Sequence, residues 1–433
     1  MKYFRHACAC RPISISLSPN VEKDDVRLAL NLIIRPWLWK KGKGIKALED
    51  EFKKYLRVKY AFSFNSGRSA FYAILKALKE AEQIKTGDGV ALQAFTCNAV
   101  PNPVLWSEMD PIYVDCSKED YNIDIEDLKK KITPKVKILV VQHTFGMPAN
   151  MQEIFSIAKQ YNLILIEDCA HSLGAEYNMQ KIGTFGKAAF FSFSRDKIIS
   201  SVYGGMAVTN NDEIGKRLEE LQKEFGMPSL FWVKQQILHP ILLYYIVLPI
   251  YKFFDLGKIF LFFSQITHIL SKAVSWKEKR GQKPDYFPRA LPNALAIMAL
   301  NQFAKLEKFN YHRQKIANLY YENLSDSSFT LPQKIDQPAQ TGNKKNVFLR
   351  FTIKHPKAHE IIYEAWNKQN ILIGDWYTTC IAPFDTKLDE IKYTAGSCPN
   401  AEELAKKTLN LPTHINISLK DAARIINFLK KYK

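Results

Sequence analysis

Apolar residues in the first half of the chain alternate between two spacings. Ile45, Leu48, Phe52 and Leu56 recur at helical intervals, Val58 to Phe64 reads as a strand, and Phe71, Ile74, Leu75 and Leu78 mark the next helix. Val136 to Val141 and Leu163 to Ile166 are short, largely apolar runs of buried-strand length, with a helix carrying Ile154, Ile157 and Ala158 between them. Strands that alternate with helices in this way predict a mostly parallel sheet covered by helices.

The texture changes between Pro228 and Lys283. Two blocks, Gln235 to Tyr251 and Ile259 to Ser271, contain no Lys, Arg, Asp or Glu. The first is 17 residues long and is interrupted by Pro240 and Pro249, short of the roughly 20 apolar residues that a straight membrane span needs. Two readings remain open. Flanked by Lys234, Lys252, Lys258, Lys272, Lys277 and Lys279, the blocks suit two short helices lying in a membrane interface. They suit equally an insertion buried against the body or at a subunit contact. Beyond Asn293 the pattern predicts one long helix rich in Ala and Leu, then a smaller region of mixed strands and helices. Ser418 there is placed to cap a helix carrying Ile425, Ile426 and Leu429. The chain thus divides into a large domain over 1–228, a hydrophobic insertion over 229–284, and an interdomain helix with a small C-terminal α+β domain over 285–433.

Composition narrows the class. The 433 residues, 47% hydrophobic and 24% charged, suffice for two or three folded domains. The formal charge of +18 favours anionic ligands such as phosphates, nucleic acid or acidic lipids, but no nucleic-acid-binding motif accompanies it. Seven cysteines with no C-x-x-C pair fit a reducing cytosol and point to no metal site. Met1 to Asn20 lacks the roughly 7 to 15 apolar residues of a secretory signal, so a cytoplasmic protein is expected.

Three segments carry candidate chemistry. Asn65-Ser66-Gly67-Arg68-Ser69 joins a predicted strand to a predicted helix, where free amides and the helix dipole can hold a phosphate; plain turn chemistry is the blander alternative. Ile166-Glu167-Asp168-Cys169-Ala170-His171 sets two carboxylates at the C-terminal end of an apolar strand, the edge where such sheets bind ligands; helix capping would also explain them. A carboxylate there that faced a pyridine nitrogen would favour its protonated form. Ala188 to Lys197 is an apolar strand ending in hydroxyls and a lysine, followed by Gly204-Gly205. Many such lysines are merely solvated, but an amine desolvated among apolar groups becomes a nucleophile toward aldehydes.

Taken in this order and at these separations, the three segments resemble the sugar aminotransferases of the DegT/DnrJ/StrS group, from about Pro12 to Lys433 with the hydrophobic stretch interrupting. The resemblance implies an aspartate-aminotransferase-like α/β fold, pyridoxal 5'-phosphate as cofactor, and a homodimer with shared active sites. It implies Lys197 as the lysine that bonds the cofactor and later moves the proton, Asp168 as partner of the ring nitrogen, and His171 near the ring hydroxyl. Gly67, Arg68, Ser69 and Ser192 would hold the phosphate. The expected substrates are glutamate as amino donor and a keto sugar, on a nucleotide or a lipid, in glycan or envelope polysaccharide synthesis. A further expectation is contact with the inner face of a membrane through 229–275.

Three positions depart from the family pattern. Cys97 stands where a ring usually stacks on the cofactor, with Phe95 or a neighbouring subunit as the candidate substitute. Phe287 stands where an Asn of the partner subunit usually reaches the phosphate, and Arg68 replaces a small hydroxyl residue. The changes at Cys97 and Phe287 leave a non-catalytic cofactor-binding regulator or scaffold as the alternative. Family members that dehydrate deoxysugars carry His in place of the lysine, which Lys197 argues against.

Overall fold

Strands at Tyr60–Phe64 (β1), Gly89–Gln93 (β2), Asp110–Val114 (β3), Val136–Gln142 (β4), Ile164–Asp168 (β5), Ala188–Ser192 (β6) and Gly205–Thr209 (β7) form one seven-stranded sheet in the order β1-β7-β6-β5-β4-β2-β3. All neighbours run parallel except β7, which is antiparallel to both β6 and β1. The structure is a computed structural model that describes residues 11–334 and 343–432. Cys8, Cys10 and the first ten residues of the segment read for a leader lie outside them.

Both faces of the sheet are covered, which explains the unbroken apolar strands. Successive residues point to opposite faces, so Leu139 and Leu165 join one core while Ile138, Val140 and Ile166 join the other. The predicted helices are α2, Lys43–Leu56, which buries Leu48, Phe52 and Leu56, then α3, Gly67–Glu80, and α4, Met151–Gln160. They follow α1, Lys23–Ile33, and precede α5, Asp212–Phe225.

Within the hydrophobic stretch, α6 spans Leu230–Leu242 and packs against α1, burying Trp232, Val233 and Ile237 in the main core. A π-helical turn, Leu243–Val247, follows, and α7 covers Leu256–Ile266. Among the described residues, no helix is long and apolar enough to cross a membrane.

The single long helix expected after Asn293 is two, α8 at Asn293–Phe303 and α9 at Leu306–Leu324. At the break, Lys305 reaches Asp24 at 2.9 Å, Asp25 at 3.0 Å and Glu22 at 3.3 Å. A contact with the first helix therefore coincides with the bend, with no Gly or Pro to announce it. A third core gathers Ile316, Phe351, Leu409 and Ile425 around the antiparallel strands Phe351–Lys354 and Thr408–Leu411. It includes α10, Leu419–Leu429, where Ser418 and Asp421 form the expected cap as a reciprocal box.

Candidate active site

Parallel strands end together. In register, Gln142 of β4 stands beside Asp168 of β5, which stands beside Phe190 of β6. At this edge lies a cavity of about 290 Å³ lined by Gly67, Arg68, Asp168, His171, Ser192 and Lys197 among others. Ser69, the remaining predicted site residue, does not line it. Its hydroxyl donates to Asn65 Oδ1 at 2.7 Å and its amide to the Ser66 cap at 3.0 Å.

One end of the cavity is an amide cradle. α3 begins at Gly67, so the Gly67 and Arg68 amides have no partner within their helix, whereas that of Ser69 is used by Ser66. Gly67 packs on Ser192: a Cβ there would lie 3.0 Å from the serine Cβ. Gly205 closes on the same turn, since a Cβ on it would fall 2.5 Å from the Gly67 nitrogen. Two amides, a helix N-terminus and a serine hydroxyl suit a phosphate. The Arg68 guanidinium is occupied elsewhere. It pairs with the fully buried Glu278 and lies 4.7 Å from the centre of the Phe287 ring, so its charge is already balanced.

The other end holds the titratable groups. Period-two alternation separates the two carboxylates predicted at the strand end. Glu167 accepts the amides of Gly183, Phe185 and Gly186 and holds their turn, while Asp168 lines the cavity and accepts only the Ala170 amide, at 3.0 Å, among its described bonds. Burial raises the Asp168 carboxyl to about 6, against the pull of that amide, Lys197 and His143. Burial also lowers the Lys197 ammonium below its ordinary range, with Cys97 and Asp168 opposing. Its Nζ sits 4.8 Å from the centre of the Trp376 ring. His171 is stacked on Trp376 at 5.4 Å and on Phe145 at 6.0 Å. Burial, reinforced by Lys197 and Arg350, keeps it well below the usual histidine range and therefore neutral. Its Nδ1 accepts the Phe145 amide at 3.3 Å, so its proton is on Nε2. A buried carboxylate short of positive charge, a desolvated amine and an anion cradle on one cavity fit the pyridine nitrogen, aldehyde and phosphate of pyridoxal phosphate.

Other lining residues escaped sequence reasoning. Trp376 and Tyr377 come from the C-terminal region, and Arg350 stacks on Trp376 with its guanidinium carbon 3.3 Å from the ring centre. The strap leaving the hydrophobic stretch is stitched to the lysine loop. Arg195 donates to the Ser271 carbonyl at 2.7 Å, Tyr203 to the Lys272 carbonyl at 2.5 Å and Arg68 to the Ala273 carbonyl at 3.5 Å. Ala273 and Val274 of that strap line the cavity. No local pattern links residues this far apart; the only signal was the apolar stretch itself.

Of the departures, Cys97 lines the cavity, and burial raises its thiol. Phe95 does not replace the missing ring: it is buried in the core against Tyr377 at 5.4 Å and Tyr121 at 5.9 Å. Phe287 is buried beneath Arg68, outside the cavity lining.

The sequence profile of the DegT/DnrJ/EryC1/StrS aminotransferase family matches residues 20–239 and 274–430, leaving out the middle of the hydrophobic stretch. An uncharacterised protein of Methanocaldococcus jannaschii is 27% identical over 418 residues, 95% of this chain and 96% of that one. The UDP-N-acetyl-3-dehydro-alpha-D-glucosamine 3-aminotransferase of Acidithiobacillus ferrooxidans is 25% identical over 410 residues, 94% of each chain. Among solved structures, DesV of S. venezuelae, in complex with a ketimine intermediate, superposes with a TM-score of 0.73 at 21% identity, covering 98% of both chains.

Proposed function

Since the chain belongs to the DegT/DnrJ/EryC1/StrS aminotransferase family and is a pyridoxal-phosphate-dependent aminotransferase, we propose that it carries an amino group from glutamate to a keto sugar. The sugar would be borne by a nucleotide or a lipid, and the product used in glycan or envelope polysaccharide synthesis. The observation that carries this reading is the convergence of Lys197, Asp168 and the Gly67–Arg68 cradle on one cavity. The full-length likeness to an enzyme named for a dehydro-glucosamine nucleotide supports the acceptor class.

Bound pyridoxal phosphate supplies an electron-poor ring that takes up the charge left when a proton departs from the amino-bearing carbon. The Gly67 and Arg68 amides and the Ser192 hydroxyl hold the phosphate end. Asp168, ionised beside a positive ring nitrogen, keeps that nitrogen protonated. His171 offers Nε2–H toward the ring hydroxyl and is kept neutral by its surroundings. Lys197 Nζ, its basicity reduced by burial, would move the proton between the substrate carbon and the cofactor carbon within each half-reaction, in one direction for the donor and in the reverse direction for the acceptor. Trp376, beneath that amine, shields it from water. The reading includes a homodimer working in the cytoplasm.

Purified, cofactor-loaded protein should lose its visible cofactor absorption on addition of glutamate and recover it with the right member of a panel of keto sugar nucleotides and lipid-linked analogues. The amino sugar and 2-oxoglutarate should form in equal amounts. A spectrum that glutamate leaves unchanged, with no acceptor aminated, would favour the non-catalytic binder suggested by Cys97 and Phe287.

A further inference from the structure

α7 carries large apolar residues on both of its faces. It meets the body through Gly257 and Ser264, its two buried residues, and through Phe260 and Leu261, which are half-buried against Leu243, Val247 and Leu270; any side chain on Gly257 would collide with the backbone of Val247 and Tyr251. A second set of large apolar residues points the other way. Leu256, Ile259, Phe262, Phe263 and Ile266 recur at intervals of about one turn and are exposed, the two phenylalanines by 60% and 58%. Phe254 before the helix and Ile269 after it are exposed as well. A helix evolved only to pack on its own body would place these side chains inward, where each buried one stabilises the fold.

The ionic residues along the stretch are mostly basic. Between Ser229 and Ser275 the ionic residues are Lys234, Lys252, Lys258, Lys272 and a single acid, Asp255, which Lys258 already pairs at 2.8 Å. Lys234 and Lys272 are exposed. The whole chain carries +18. A protein partner would need a matching shape for protruding rings, but a bilayer accepts any apolar protrusion and, if anionic, attracts the lysines around it.

We propose that the outward face of α7 docks the enzyme peripherally on an anionic bilayer surface. The helix lies along the interface with Phe262 and Phe263 among the acyl chains, and the exposed Lys234 and Lys272 meet the headgroups. The docked element is continuous with the site, since the chain runs on from it through Ser271 to Val274 into the cavity wall. The proposal concerns attachment alone and holds whichever sugar the enzyme aminates.

The test is co-sedimentation of full-length, cofactor-loaded protein with phosphatidylcholine vesicles, with and without phosphatidylglycerol, for wild type and for the double substitution Phe262→Ser, Phe263→Ser. The wild type should bind the anionic vesicles and bind neutral ones more weakly. The double variant should lose at least about tenfold in partition, while its cofactor absorption and its response to glutamate stay as in the wild type. Three results would overturn the proposal: wild-type protein left in the supernatant with anionic vesicles, undiminished binding by the double variant, or a fall in the sedimenting mass of the variant in solution, which would assign the face to a second copy of the chain.

Discussion

At the scale of single residues, the site combines groups whose protonation is set against their own stability. With its folded value raised to about 6 from an unfolded value near 3.9, Asp168 favours folding fully below about pH 4 and loses that contribution as pH rises through about 6. In the cofactor-free protein at neutral pH this corresponds to about 3 kcal/mol forgone, which a cationic ring nitrogen would offset. Asp168→Asn should therefore raise the melting temperature of the cofactor-free protein near pH 8, with the difference shrinking toward pH 4, while cutting turnover by roughly a hundredfold or more. Melting curves across pH on stripped protein, paired with turnover of loaded protein, check both halves; a variant less stable than wild type at about pH 8 would contradict the electrostatic account. Lys197, Asp168, His171 and Ser192 were legible because each lies in a local strand-end segment. Trp376 and Arg350 were not, because only folding brings the Trp376 ring beneath the lysine amine and Arg350 onto that ring. Ser69 misled because a hydroxyl at a helix start serves a phosphate or a turn equally well, and here it bonds Asn65.

At the scale of elements, the cradle depends on three pieces meeting: the start of α3, the end of β6 and the start of β7. Gly205 is their closest point, pairing with Ser192 on one side and Phe64 on the other. Gly205→Ala would drive a methyl into the Ser66–Gly67 peptide and displace the phosphate amides. Cofactor affinity should fall by about tenfold or more, measured by titration of stripped protein with pyridoxal phosphate, with the helical content intact; unchanged affinity would mean that the cradle is not the phosphate site. Most elements were readable from spacing alone, since buried parallel strands are apolar throughout and α2 and α3 carry one apolar stripe. The bend between α8 and α9 was not, because the acids that hold Lys305 lie almost the whole chain away, on α1 and its cap.

At the scale of the molecule, the sheet edge, the C-terminal region and the hydrophobic stretch each contribute to one cavity. The sequence division at 1–228, 229–284 and 285–433 remains a proposal about autonomous units, and the stitching of Ser271 to Ala273 onto Arg195, Tyr203 and Arg68 ties the second unit closely to the first. The sequence marked the apolar stretch as anomalous but left open whether it was buried or outward-facing. The fold does both: α6 turns its Trp232 and Ile237 into the core, and α7 turns Phe262 and Phe263 out. That split follows from tertiary packing, which hydropathy does not encode.

The central claim is that one buried amine, Lys197, bonds the cofactor, and the most direct measurement is borohydride reduction of the loaded enzyme followed by peptide mass spectrometry. The account predicts a single pyridoxyl-bearing peptide containing Lys197, and none from a Lys197→Ala protein. Label on another lysine, or label that survives in the alanine variant, would contradict it.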